Sequence, residues 1–472
     1  MNPFRNILKL SIGDFIAKAA YFLSFVYMAQ KLGVANYGVL EFAIAVRTYL
    51  LLLADAGLDL WAVREAAKGV DVAGLAARVI PARLMLAAVA LGATGILNAL
   101  PGNPNLRRIL PLLTLTVVVQ AFNLKWVFMG QERMAKVAMG LVASQLAFAA
   151  AAVLLVKRPS DLMAVPVAFM AGEAVMAAYF WRLFVRVHGR PRLNFDWFGI
   201  RPMIQPVLTL GAGQCLGLIN YNADAILIGV MLGPGPVGWY AAAYKPVTAL
   251  LTVPVTYYLG LFPALSRSYV EDREKFRALL LRSLRFTTMF AIPLGVGGTL
   301  LAAPVIHLLF GESYAASVPA LQLLSWSAVL VTLRGNFRHT LNAVGHQRLD
   351  LICAASAAAL NIALNLLLIP GFGITGAAAA TVISEIGWFT MARYLFTRHV
   401  IGLPLLGAIW RPLAAGVGMA AALILGSAIP WVARGALGLG VYILILIASG
   451  EPEVRMVLPR RQVAAARVAG VD

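Results

Sequence analysis

Residues 32–68 read LGVANYGVLEFAIAVRTYLLLLADAGLDLWAVREAAK, a glycine-bearing turn followed by a long apolar run that contains isolated charges. A similar order returns about two hundred residues later, with LG at 232–233, GWY at 238–240 and an apolar run that ends at Arg267. A pattern that recurs at this distance predicts two lobes built on one plan, related by a pseudo-two-fold repeat.

The composition predicts an all-α polytopic membrane protein. Hydrophobic residues make up 61% of the 472 and charged residues only 12%, with a mean hydropathy of +0.82. Soluble domains carry about 25% charged residues. Because a membrane span needs about 20 apolar residues, the sequence predicts about fourteen spans. These lie at 8–30, 37–61, 79–100, 108–129, 134–156, 162–186, 203–231, 237–264, 282–309, 316–343, 349–369, 373–396, 405–427 and 432–449.

The distribution of cations predicts the orientation. Net charge is +19, and the Lys and Arg residues favour alternate loops by roughly four to one, which places both termini in the cytoplasm. The loops near Gly102, Pro234 and Gly371 are then outside, and those near Asp71, Arg192 and Glu274 inside. Cations spread over loops do not form one face of a polar domain, so nucleic-acid binding is excluded.

The longer basic loop at 266–285 has two interpretations. Its cations and apolar residues are typical of an amphipathic helix on the anionic inner leaflet. A solvated loop with charge pairs is the alternative.

No motif for catalysis, metal binding or a cofactor is present. The chain has no nucleophile elbow, zinc motif or P-loop, and Cys215 and Cys353 have no partner at ligand spacing. Asp55 and Asp59 stand at a span end near Arg83, which indicates a charge network rather than a catalytic dyad.

Charged residues inside the predicted spans are the candidates for function. A charge at mid-bilayer costs about 2.5–3.5 kcal/mol on insertion scales, so it normally faces a cavity or a partner. Asp14 and Lys18 are four residues apart, which fits either an ion pair or a cavity-facing pair. Arg334 and Arg338 have the same spacing, and like charges on one helix face require an anion or facing carboxylates.

Several short motifs resemble one family in their order and spacing. AGL at 56–58 and AVRE at 62–65 look like the opening of the polysaccharide-biosynthesis (Wzx-type) flippases, and WVFMGQERM at 126–134 is similar to the motif after their fourth span. Matches to the second half are NAD at 222–224, GWY at 238–240, FPALSR at 262–267 and NAVGH at 342–346.

The resemblance implies a fold and a domain organisation. The family has two six-span bundles around a central cavity, as in the multidrug/oligosaccharidyl-lipid/polysaccharide exporter superfamily. In this chain they correspond to residues 1–195 and 196–400. The last two spans, in 401–450, resemble the extra pair of the lipid II flippases, and 451–472 is a cytoplasmic tail.

The resemblance also implies a function in the inner (cytoplasmic) membrane. That function is to move undecaprenyl-diphosphate-linked oligosaccharide repeat units to the outer leaflet for O-antigen, lipopolysaccharide or exopolysaccharide synthesis. The partners implied are this lipid-linked substrate, membrane lipids, a polysaccharide polymerase and other assembly proteins. The alternatives are a multidrug or small-cation antiporter and a membrane-embedded glycosyltransferase or polymerase.

The predicted site follows from this function. Arg47, Arg334 and Arg338 are expected to face the central cavity and hold the diphosphate. Lys18, Lys245 and Asn123 are expected to complete the binding of phosphate and sugar. The intramembrane carboxylates Glu41, Asp224 and Glu385 are candidate proton or sodium sites for coupling.

Overall fold

A computed structural model describes residues 3–99, 102–191 and 197–453, and their side chains except at 3–12, 197–199, 209–210 and 212–221. Within these ranges the protein is helical throughout, without a strand. The helices are α1 Pro3–Asp55, α2 Leu58–Ala67, α3 Val72–Ala99, α4 Pro104–Thr114, α5 Thr116–Ala121, α6 Lys125–Gly130, α7 Met134–Leu155, α8 Val165–His188, α9 Trp197–Leu232, α10 Pro234–Leu250, α11 Thr252–Glu271, α12 Arg273–Leu300, α13 Ala302–Phe310, α14 Val318–Ala343, α15 Gln347–His399, α16 Leu405–Leu425 and α17 Trp431–Ala448.

The helices have the lengths and surfaces that a bilayer requires. Ten helices in the described part of the chain are long and apolar enough to cross a membrane. Large apolar side chains stand exposed on them, including Ile96, Leu367, Val417 and Leu425. A helix satisfies its own backbone hydrogen bonds, so it can present such a surface to lipid. The protein is a multi-pass, all-α membrane protein, as the sequence predicted.

Two helices are each long enough for two crossings. α1 and α15 have 53 residues each, about 80 Å at the helical rise, against a hydrocarbon core of about 30 Å. α1 is broken at Gly33 (φ 71°, ψ 168°) and α15 at Gly373 (φ 59°, ψ −138°). Glycine tolerates this left-handed backbone because it has no Cβ. Each long helix therefore divides at the boundary predicted between two spans, and the total of fourteen stays a prediction.

The predicted fourth span, 108–129, differs from the structure. It consists of three short helices, α4, α5 and α6, with residues 122–124 outside helical geometry. The side chain of Asn123 accepts a hydrogen bond from the backbone N–H of Lys125 at 3.0 Å, which replaces a helical bond at the break. The carbonyl of Asn123 is thereby freed, and it accepts a hydrogen bond from Arg83 at 3.0 Å.

The predicted basic loops also differ from the structure. Segment 266–285 is no separate amphipathic helix, because α11 ends at Glu271 and α12 begins at Arg273. Asp272 lies between them and caps α12 by accepting a hydrogen bond from the N–H of Lys275 at 3.0 Å. The linker predicted around Arg192 falls on 192–196, outside the described residues.

The chain forms two compact units, Met1–Ala242 and Ala243–Asp472. The core of the N-terminal unit contains Trp126, Phe128 and Phe180. The core of the C-terminal unit joins α16 and α17 to α12, because Tyr442 donates a hydrogen bond to the carbonyl of Met289 at 3.0 Å. The predicted division at 195, 400 and 450 stays a prediction.

Candidate functional site

The N-terminal unit holds a buried network around Arg47. The Nε of Arg47 donates to the hydroxyl of Thr116 at 2.9 Å and to the carbonyl of Leu113 at 3.3 Å. Its Nη2 lies 3.5 Å from Oε1 of Glu173 on α8. The same oxygen accepts a hydrogen bond from Gln120 at 2.6 Å. The guanidinium is therefore compensated by a carboxylate of a neighbouring helix, as a buried charge requires.

A second network joins α1, α2, α3 and α6. Arg83 on α3 donates to Asp59 and to Oδ1 of Asp55, the latter at 3.4 Å, besides its bond to the carbonyl of Asn123. Nζ of Lys125 lies 4.0 Å from Asp59. The two aspartates share one arginine, so they form a charge network, as the sequence indicated.

A cavity of about 330 Å³ opens between these two networks inside the N-terminal unit. Its polar wall includes Asp55, Asp59, Arg83, Gln120, Asn123, Lys125 and Glu173. The predicted substrate residue Asn123 lines it directly, and Arg47 borders it through Glu173. The folded chain thus brings residues from six helices, α1, α2, α3, α5, α6 and α8, to one polar space.

The C-terminal unit holds an ion pair, Arg334 with Glu385, whose distances are shorter than that of Arg47 with Glu173. Nε of Arg334 donates to Oε2 of Glu385 at 2.8 Å, and Nη2 donates to Oε1 at 3.1 Å. The guanidinium carbon lies 3.5 Å from the ring centre of Trp388, and Arg334 is 2% exposed. This geometry combines a bidentate ion pair with a cation–π contact.

Arg338 is paired more loosely. Its Nε lies 3.4 Å from Oδ2 of Asp350, which also accepts a hydrogen bond from Asn342 at 3.0 Å. The side chain of Arg338 is 35% exposed. Of the two explanations for a pair of arginines four residues apart, the structure shows facing carboxylates, Glu385 and Asp350.

The remaining predicted residues are Lys18, Asp224, Glu41 and Lys245. Lys18 is paired with Asp14 at 2.8 Å and is half exposed. Asp224 is buried and accepts a hydrogen bond from Tyr240 at 2.6 Å. Glu41 is buried on α1, and Lys245 is half-buried on α10 in the C-terminal unit.

The family comes from comparison with known proteins. The model of the polysaccharide biosynthesis protein family matches residues 4–269, more than half of the chain. The chain belongs to this family. The resemblance found in the sequence motifs is thereby confirmed, and the family is one of transporters rather than enzymes.

Two related proteins agree with this assignment. A probable low-salt glycan biosynthesis flippase of Haloferax volcanii is 21% identical over 390 residues, 81% of each chain. A lipopolysaccharide biosynthesis protein of Escherichia coli is 24% identical over 226 residues, 47% of this chain and 44% of that protein.

Solved structures show the fold. A lipid II flippase in an inward closed conformation matches with a TM-score of 0.78 at 14% identity, over 92% of this chain and 97% of that chain. An inward-facing multidrug resistance transporter matches with a TM-score of 0.68 at 14% identity, over 83% and 98%.

Sequence reasoning missed the partners of the arginines. No role was assigned from the sequence to Glu173, Gln120, Asp350 or Trp388. The usable signal was the rule that a buried guanidinium needs a carboxylate. That rule restricts the partner of Arg47 to the few intramembrane carboxylates, of which Glu173 is one.

Proposed function

We propose that the protein is a flippase that moves a lipid-linked glycan precursor from the cytoplasmic to the outer leaflet for surface polysaccharide synthesis. The substrate class is an undecaprenyl-diphosphate-linked oligosaccharide repeat unit. The observation that carries the proposal is membership of the polysaccharide biosynthesis family, supported by the fold shared with a lipid II flippase. The relative from Haloferax volcanii described as a probable glycan biosynthesis flippase supports it as well.

The physical problem explains why such a protein needs buried polar groups. A diphosphate bearing sugars cannot cross hydrocarbon without losing the hydration of its charges and hydroxyls. Fixed cations and amide groups along a path replace that hydration. The two networks of the N-terminal unit and the two arginine pairs of the C-terminal unit supply such groups inside spans.

Of the three proposed phosphate-binding arginines, Arg338 is the most accessible to a phosphate. A third of its side chain is exposed, and its contact with Asp350 is long at 3.4 Å. Arg334 is held by both oxygens of Glu385, so it binds a phosphate only when that carboxylate is displaced. Arg47 is held less tightly, since its Nη2 lies 3.5 Å from Glu173 and has no hydrogen-bond partner among the described residues. We retain Arg47, Arg334 and Arg338 as the proposed diphosphate-binding arginines, with Lys18, Lys245 and Asn123 as further substrate contacts.

The proposed coupling groups are Glu41, Asp224 and Glu385, as proton or sodium sites. Glu385 ties coupling to substrate most directly, since it holds a proposed phosphate-binding arginine. Replacing each with its neutral amide is expected to alter the ion dependence of transport, measured in vesicles with imposed proton or sodium gradients. Unchanged flipping and unchanged ion dependence in all three variants would remove these carboxylates from the coupling mechanism.

The proposed location is the cytoplasmic membrane with both termini inside. Single cysteines introduced at Gly102, Pro234 and Gly371 are expected to react with an impermeant thiol reagent in intact cells. Cysteines at Asp71 and Glu274 should react only after the cells are opened, because cations accumulate on the cytoplasmic side. Reaction of Glu274→Cys in intact cells would contradict this orientation.

Lipid analysis of a deletion strain tests the function. We expect the complete lipid-linked repeat unit to accumulate on the inner leaflet and surface polysaccharide to be lost. Accumulation of unextended precursors would instead indicate a glycosyltransferase or polymerase. Normal glycan lipids together with altered drug sensitivity would indicate a multidrug antiporter.

A further inference from the structure

The cavity of the N-terminal unit has the size of a ligand site. It measures about 330 Å³ and lies between α1, α3, α5 and α8. Because about 10–15 Å³ of such space holds one water, there is room for a ring-sized ligand with its substituents. Small-molecule sites begin at about 300 Å³.

The charges at the cavity balance. The wall carries the carboxylates Asp55, Asp59 and Glu173 and the cations Arg83 and Lys125, with Arg83 paired to both aspartates, and Arg47 borders the cavity behind Glu173. Three negative groups against three positive groups leave no net charge to attract a diphosphate. Within the described residues, no His, Cys, Asp and Glu cluster suited to a metal ion is found either. The cavity is therefore suited to an uncharged polar ligand.

Donors and acceptors are left open on its wall. The nearest carboxylate oxygen to Nζ of Lys125 is 4.0 Å away, too far for a hydrogen bond. Oε2 of Glu173 and Oε1 of Gln120 also have no hydrogen-bond partner among the described residues, since the bond between them uses the other atom of each group. An ammonium, a carboxylate oxygen and an amide oxygen thus remain available to a ligand.

The rest of the wall is apolar. Leu51, Val117 and Met176 line the cavity together with the polar groups. A ligand that fits both parts carries several hydroxyl groups and also C–H surfaces, which is the chemistry of a sugar ring. A carboxylate accepts hydrogen bonds from hydroxyl groups, and an ammonium donates to them.

We propose that this cavity is a sugar subsite, which binds one monosaccharide unit of the glycan through Glu173, Gln120 and Lys125. The proposal rests on the proposed function, since it assumes that a glycan is the substrate. It separates two tasks within the protein. The sugar is recognised inside the N-terminal unit by polar groups whose charges balance, while the diphosphate requires arginines that can be freed from their carboxylates.

Lys125→Met is the most informative variant, because among the described residues the side chain of Lys125 makes no hydrogen bond and only a distant ion pair. The probe is the free oligosaccharide released by mild acid from the surface polysaccharide of the host. Its binding to the full-length protein in detergent is measured by calorimetry, with inorganic diphosphate as a second probe. Lys68→Met is the matched control, since Lys68 is exposed and lies away from the cavity.

We expect Lys125→Met to weaken oligosaccharide binding about tenfold, the effect of losing a hydrogen bond to a charged group. Diphosphate binding should be unchanged, and Lys68→Met should bind like the wild type. If Lys125→Met does not fold, Lys125→Gln, which keeps a donor but no charge, is expected to bind with intermediate affinity.

Three results would overturn the subsite. One is an unchanged oligosaccharide affinity in the Lys125 variant, and another is an equal loss of diphosphate affinity, which would show an anion site. The third is a wild-type protein that binds no oligosaccharide although its deletion strain accumulates the lipid-linked glycan. That last result leaves the flippase function standing, whereas a deletion strain with normal glycan lipids removes both proposals.

Discussion

Replacing Arg334 with alanine is expected to destabilise the protein so strongly that little of it remains folded. Arg334 is 2% exposed and holds Glu385 through two hydrogen bonds, while its guanidinium lies on Trp388. The substitution leaves the carboxylate of Glu385, whose side chain is only 13% exposed, without this partner. Breaking a buried ion pair by removing one member costs about 3–5 kcal/mol, a large share of the roughly 5–15 kcal/mol that stabilises a folded domain.

Thermal unfolding of the purified protein and its level in membranes measure this effect. Arg338→Ala is the matched control, because this arginine is one third exposed, its contact with Asp350 is long at 3.4 Å, and its guanidinium lies 5.7 Å from the ring centre of Trp388. An exposed pair is worth about 0–1 kcal/mol, so this variant should keep its protein level and lose export. The double variant Arg334→Leu with Glu385→Leu should recover stability, since no unpaired charge remains. Arg334→Ala with wild-type thermal stability would contradict this account of the pair.

Alanine at Gly38 is expected to disrupt the crossing of α1 and α10 within the N-terminal unit. A Cβ at Gly38 would meet the carbonyl oxygen of Pro234 at 1.9 Å, and a Cβ at Gly238 would meet that of Val34 at 2.5 Å. Backbone atoms cannot rotate away as a side chain does, so the helices must separate. Overpacking of this kind typically costs about 1–3 kcal/mol.

Gly92 and Gly95 provide the control for this prediction. Both lie on α3, and a Cβ at either would meet nothing within 4 Å. Alanine there is expected to be neutral or to stabilise by about 0.5–1 kcal/mol, because glycine weakens a helix. The unfolding temperatures of Gly38→Ala and Gly238→Ala should therefore be well below that of Gly92→Ala. Equal stability of all four variants would show that the two helices are free to move apart.

The repeated glycine motif illustrates what the sequence could predict. Its two copies, at 33–38 and 233–238, predicted two similar lobes from their order alone. In the structure the glycines of the two copies approach each other, and the contacts of Gly38 with Pro234 and of Gly238 with Val34 are mirrored at corresponding positions. A sequence repeat shows that two segments are built alike, but contact between them depends on packing that no periodicity contains.

The buried arginines show that a sequence can locate charged residues within spans without identifying their partners. Hydropathy located Arg47 and Arg334 within spans, because the residues on either side of them are apolar. It could not identify those partners, since Glu173 lies 126 residues from Arg47 and Glu385 lies 51 residues from Arg334. The assignment of both arginines to the diphosphate alone therefore left out the carboxylates that hold them.

The break in the fourth predicted span was missed for a related reason. Average hydropathy over 108–129 does not register a single hydrogen bond that the backbone N–H of Lys125 donates to the side-chain oxygen of Asn123. That bond ends the helical geometry, frees a carbonyl for Arg83 and turns Lys125 toward the cavity. Local polar competition with the helix thus produced both the break and part of the candidate site.

The central claim is that this chain moves a lipid-linked glycan across the bilayer. The most direct measurement uses purified protein in vesicles that contain the host's lipid-linked oligosaccharide in both leaflets. A membrane-impermeant glycosidase digests the glycan of the outer leaflet only. With the protein present, we predict that nearly all of the glycan becomes digestible. In vesicles without protein, the digestible fraction should stay near one half. A digestible fraction that stays near one half with folded protein, under imposed proton and sodium gradients, would contradict the account.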